Sequence, residues 1–230
     1  PPRSTLFPYT TLFRSFTETT VIDLTHVLRP GMPVYPGTES PEFSVPCTIA
    51  EDGFTEKKLT LYSHTGTHMD APAHILEGAP TLDRLPAAQF VGSAVVLDLS
   101  NLDKAEIGLD DLTPFAPRIA GKEFLILHTG WSDLWGDPAY FEGYPVLSVE
   151  AAQWIATLGL KGLGVDMISI DGPDTTEFPV HRIILGAGMV VVENLTALRQ
   201  VGDAAFTFCC FPLKIEQADG SPVRAIALLR

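Results

Sequence analysis

The chain has 230 residues, 46% of them hydrophobic and 19% charged, and a formal net charge of −13. That balance suits a folded domain with a sizeable core and argues against a nucleic-acid partner, because the field repels a polyanion and no Lys/Arg cluster counters it. No run approaches the roughly 18–20 continuous apolar residues of a membrane helix, so no membrane partner is expected.

The first segment, residues 1–15, lacks the charged, apolar and cleavage regions of a targeting signal. It resembles the in-frame translation of a sequencing adapter and is expected to be a non-native leader, with residues 16–230 forming one domain. Residues 21–24 are predicted as a short buried strand, followed by the turn-rich stretch 29–37. Residues 55–63 alternate polar and apolar side chains, which predicts a half-buried strand running into the segment that follows. Residues 94–99 and 123–128 are short apolar runs of strand length. Residues 148–158 predict a helix that Ser148 caps, Glu150 favours at its positive end and Gly159 terminates. Residues 183–192 read as a buried helix end followed by a strand. The stretches 162–168, 189–193, 204–208 and 223–229 add further strands. Strands outnumber helices, so the fold is mixed α/β. No Gly-rich phosphate loop opens a helix, and nucleotide binding has no support. Cys47, Cys209 and Cys210 are odd in number and irregular in spacing, which argues against a disulfide framework. They are expected as small core residues in a reducing cytoplasm.

Three of the six histidines fall in residues 64–74, together with an aspartate: His64, His68, Asp70 and His74. His64 and His68 have the spacing of a helical zinc-protease pair, but Thr65 stands where that motif needs glutamate. Gly66 and Pro72 also oppose a continuous helix, so an extended or looped backbone is expected. There His68 and Asp70 share a face, because side chains alternate. Imidazole nitrogens and a carboxylate without thiolate suit zinc or manganese. Asp70, with two oxygens, is a candidate bridge between two ions. His181 and Glu193 are candidates for the remaining ligands; Glu193 ends an apolar run, where an unpaired charge is costly. Thr65 and Thr67 either orient ligands or cap the turn, and Asp166, Ser169 and Asp171 are supporting or turn-forming residues.

The pattern His64-x-Gly66-Thr67-His68-x-Asp70-x-Pro72-x-His74 resembles the signature of the metal-dependent cyclase family, which includes bacterial kynurenine formamidase and isatin hydrolase. The likeness continues through residues 33–37, 127–131 and 164–171 and the His181/Glu193 pair. The resemblance implies a compact swivelling β/β/α domain with a mixed barrel-like sheet, assembled as a homodimer or homotetramer. It implies that His64, His68 and Asp70 hold one metal and that Asp70, His181 and Glu193 hold a second. Two Zn2+ are expected, with Mn2+ the alternative, and His74 is the implied proton carrier. The implied activity is hydrolysis of a small-molecule amide, with arylformamidase action on N-formylkynurenine first and opening of isatin or a related cyclic amide or lactone second. A non-catalytic metal- or ligand-binding protein is the reading from another class. Tyr35 stands where formamidases of the family carry tryptophan; with Trp131 it is expected to wall the substrate, and Phe54 is a further aromatic candidate. His128 is expected to finish a strand.

Overall fold

The protein is described here by a computed structural model covering residues 19–229. Its thirteen strands are β1 Thr20–Asp23, β2 Glu42–Cys47, β3 Glu56–Thr60, β4 His68–Asp70, β5 Val91–Asp98, β6 Glu106–Ile107, β7 Phe124–His128, β8 Val146–Leu147, β9 Gly162–Val165, β10 Val190–Glu193, β11 Phe206–Cys209, β12 Gly220–Pro222 and β13 Ile226–Leu229. Two helices of eight residues accompany them: α1, Val149–Ala156, and α2, Pro179–Gly186. The expected leader lies outside the described residues. Among the described residues no helix is long and apolar enough to cross a membrane.

Nine strands form one sheet in the order β1-β13-β11-β5-β7-β9-β10-β4-β12. Its centre, β5-β7-β9-β10, is parallel. Parallel strands covered on both faces are apolar throughout, and β7, FLILH, is buried at every position. Alternation along these strands feeds two cores. Val95, Leu97, Leu125, Leu127 and Val191 face the helices, packing with Ile155 of α1 and Ile184 of α2. Ala94, Val96, Phe124, Ile126 and Val192 line the inside of the curled half-barrel with Phe208 and Ala227. The mixed, barrel-like α/β fold that the resemblance implied is the one observed.

Helix α1 follows its sequence signals: Ser148 is the N-cap and its side chain accepts from Ala151 N–H. The stretch 183–192 does divide into a helix end and a strand. Three expectations need correcting. Strand β3 is exposed at every residue, because among the described residues it pairs only with β2 in a separate hairpin and no layer covers it. β1 is an edge strand with Ile22 its one buried residue, so it is not buried as a whole. Cys209 and Cys210 are buried, but Cys47 ends β2 of the exposed hairpin and is only half-buried; all three are free thiols.

Candidate metal centre

The histidine segment becomes a loop, the short strand β4 and a one-turn 3-10 helix, Pro72–His74. β4 lies between two antiparallel neighbours, with His68 opposite Glu193 of β10 and Asp70 opposite Gly220 of β12. Opposed residues in such a ladder sit about 5 Å apart at Cβ, so the register alone brings His68 and Glu193 into side-chain contact. Met69, between the two polar residues, points the other way into the half-barrel core. The loop ahead of β4 is pinned at Thr67, whose hydroxyl donates to Asn194 O at 2.6 Å and accepts from His26 N at 3.0 Å. Gly66 turns the chain with φ of 69°, and a Cβ there would come within 2.6 Å of the Leu28 side chain. The Thr65 hydroxyl, by contrast, is buried without a hydrogen-bond partner among the described residues.

Around Asp70 the donors form two groups, one at each oxygen. Oδ1 lies 2.7 Å from His64 Nδ1 and 3.3 Å from His68 Nε2. Oδ2 lies 3.7 Å from His181 Nε2, and that nitrogen is 3.3 Å from Glu193 Oε1. Candidate ligand atoms of His64, His68 and Asp70 lie within 4.8 Å of one another, as do those of Asp70, His181 and Glu193. Asp70 Oδ2 and Glu193 Oε1 are fully buried and, among the described residues, have no well-aligned hydrogen bond, His181 Nε2 standing 3.7 and 3.3 Å away. Two buried carboxylates with orphaned oxygens aimed at imidazole nitrogens are costly unless a cation joins them. The donor set therefore fits a divalent metal.

The electrostatics agree. Burial would raise Asp70, but the charges of His64 and His68 and bonds from His181 and His64 hold it well below the usual carboxylate range. Glu193 goes the other way: burial, then the Asp70 charge, push it up. Burial lowers His64, yet Asp70 and Asp219 outweigh it and lift the imidazole to about 9. His181 is likewise raised, burial notwithstanding, through Asp171, Asp70 and Glu193. The pocket thus draws protons onto His64 and His181, and a metal ion would displace them.

Hydrogen bonds behind the donors select which ring nitrogen faces inward. His68 Nδ1 meets Gly66 O at 2.8 Å, leaving Nε2 toward the carboxylates. Gly66 O also accepts from Asn194 Nδ2 at 2.9 Å; Asn194, left-handed with φ of 57°, in turn accepts from the buried Tyr140 hydroxyl at 2.6 Å. Asp171 accepts from His181 Nδ1 at 2.7 Å and from the Val180 and His181 amides, capping α2 as it orients the ring. This carboxylate–histidine arrangement is how metal-binding imidazoles are held in other proteins. Of the residues left open between supporting and turn roles, Asp171 thus takes the first. Asp166 takes the second, binding the Thr129 and Gly130 amides.

His74 is half-buried beside the first group, its ring 4.0 Å from that of His64. Burial lowers its pKa, with Asp70 opposing and His64 and His181 reinforcing. A cavity of about 230 Å3 opens over these groups, walled by Val34, Tyr35, Ile168, Ser169 and Phe178. Phe178 is left-handed, φ 48°, a strained backbone at the mouth of α2. Trp131 does not line this cavity. It sits in a 3-10 turn, Trp131–Leu134, and its indole donates to Tyr140 O at 2.8 Å. Phe54 is exposed near the hairpin and walls nothing here. His128 ends β7 and pairs with Asp98 at 3.2 Å, away from the cavity. Asn194, Asp219 and Gly220 carried no signal in sequence: they meet the histidines only through β10 and β12.

Residues 22–172 match the model of the Cyclase family, described as "Putative cyclase". The chain is 32% identical over 206 residues to a kynurenine formamidase of Bacillus cytotoxicus, covering 89% of this chain and 95% of the relative. Among solved structures it resembles isatin hydrolase A from Ralstonia solanacearum, with a TM-score of 0.83, 28% identity and coverage of 93% of each chain. It also resembles a potential metal-dependent hydrolase with cyclase activity, with a TM-score of 0.78 and 28% identity over 92% of this chain and 98% of that one.

Proposed function

The chain belongs to the Cyclase family, and from that membership we propose that it is a metal-dependent hydrolase of carbon–nitrogen bonds, an arylformamidase releasing formate from N-formylkynurenine. The observation that carries this reading is the division of Asp70, one oxygen toward His64 and His68 and the other toward His181 and Glu193. Two divalent ions, zinc or manganese, fit the two groups, with His64, His68 and Asp70 holding one and Asp70, His181 and Glu193 the other. Bound there, the ions supply Lewis acidity, acidifying water and polarising a carbonyl oxygen.

The side chains do the rest. Tyr35, Val34 and Phe178 hold the aryl ring, leaving the formyl carbon over the carboxylate floor. Water adds to that carbon, and the C–N bond then breaks. His74 takes a proton from the attacking water and passes it to the nitrogen, which as an arylamide anion would leave poorly. The products are the free aryl amine and formic acid, which ionises to formate by releasing water's second proton to solvent. The exposed apolar side chains of Ile49, Phe54 and Leu59, on and beside the hairpin, support assembly as a homodimer or homotetramer, which light scattering would measure. Free thiols suit a reducing cytoplasm.

One observation favours a second substrate. Among the described residues no Lys or Arg lines the cavity, so the amino-acid end of formylkynurenine meets no ammonium or guanidinium group there. Isatin, a neutral cyclic amide, needs none. Formate release and isatin opening, assayed side by side on zinc- or manganese-loaded protein, separate the readings. Turnover of formylkynurenine, abolished by a chelator and restored by the ion, is the expected result. Preference for isatin by more than tenfold in kcat/KM selects the second reading, and metal-loaded protein that turns over neither substrate contradicts both.

A further inference from the structure

Asp219 and Gly220 reach the metal-binding segment from the far end of the chain, through the pairing of β12 with β4. His64 Nε2 lies 2.9 Å from Asp219 Oδ2, while its Nδ1 faces Asp70. The same Asp219 oxygen is 3.6 Å from His74 Nδ1. Asp219 is itself anchored: its other oxygen accepts from the Ser63 hydroxyl at 3.1 Å, and its backbone carbonyl accepts from Ala71 N at 2.8 Å. Beside it, a Cβ on Gly220 would stand 2.5 Å from Cε1 and 2.7 Å from Nε2 of the His64 ring. Contacts under 3.0 Å force something to move, and here the moving part would be the imidazole.

We propose that Asp219 and Gly220 form the seat of His64, the carboxylate accepting from Nε2–H so that Nδ1 keeps its lone pair for a metal, and the missing side chain leaving room for the ring. The inference rests on the metal-centre reading above and adds two positioning residues to it. His64 needs such a seat more than its partners do. His68 is tied to Gly66 O and His181 to Asp171, whereas His64 stands on the loop before β4 with 22% of its side chain exposed. A carboxylate behind a metal-binding histidine fixes its tautomer and raises its basicity. Because one oxygen of Asp219 faces both rings, the seat also sets the spacing of His64 and His74.

The test is metal affinity, read by competition with a chromogenic chelator on the full chain stripped and then titrated with Zn2+. Asp219→Ala should weaken the His64 group by about 10- to 100-fold while leaving the Asp70/His181/Glu193 group within about twofold. Asp219→Asn keeps an acceptor oxygen and should restore most of the loss. Gly220→Ala should mimic Asp219→Ala without touching the carboxylate. Far-UV circular dichroism and thermal midpoint identify any variant that has lost its fold. Wild-type affinity in Asp219→Ala, or equal weakening at both groups, overturns the proposal. So does a zinc-loaded structure with Asp219 on the ion, the arrangement in which His64, His74 and Asp219, whose atoms lie within 4.8 Å of one another, would act as ligands. Wild-type protein that binds no zinc would instead bring down the metal reading itself.

Discussion

The two halves of the centre are built in different ways. His64, His68 and Asp70 come from seven consecutive positions, and His64 remains partly open to solvent. Asp70, His181 and Glu193 come from three elements, β4, α2 and β10, and each is buried. The outer half joins His64, on the loop, to His68 and Asp70 on β4, with hydrogen bonds to the individual rings. The inner half is held by α2 packing against the sheet and by the β4–β10 register. Charges in the inner half are more desolvated and interact more strongly, while His64 in the outer half keeps 22% of its side chain exposed. A local motif thus supplies the more accessible donor group, and tertiary packing supplies the buried one.

Removing the shared ligand should erase the contrast and have the largest effect. Asp70→Asn preserves shape but removes the charge common to both halves. We expect activity to fall by more than about a thousandfold, since the ions supply several kcal/mol to the reaction. The rise in thermal midpoint on adding Zn2+ should vanish as well, since a ligand stabilises only what it binds. A variant that keeps that rise would show that the halves do not depend on Asp70.

Asp171→Asn should sharpen the contrast with a smaller effect. It weakens the support of His181 Nδ1 and of two α2 amides but touches nothing around His64. Inner-site affinity should drop about 10- to 100-fold, with the outer site unchanged, in the same chelator competition. Equal loss at both sites would mean that the halves are one cooperative unit.

The contrast also explains what could be read from sequence. The outer half is legible because its ligands fall within seven positions, 64–70, that Gly66 interrupts and Pro72 follows, residues that rule out a plain helix. His181 and Glu193 were visible only as polar residues in apolar surroundings, and their pairing needed the family resemblance. Asp219, Gly220 and Asn194 were not visible, since the register of β4 with β10 and β12 is a property of the folded sheet. The alternation in β3 was real but misread: period two records a strand, not whether anything covers it, and here only β2 pairs with it. Trp131 failed as a substrate wall because its indole is spent on the Tyr140 carbonyl.

The central claim is that one carboxylate serves two ions, and anomalous diffraction from crystals of zinc-loaded protein tests it most directly. The account predicts two peaks about 3.5–4 Å apart, one bound by Asp70 Oδ1 with His64 and His68 and the other by Oδ2 with His181 and Glu193. A fully loaded crystal with a single peak, or two peaks of which only one touches Asp70, would contradict it.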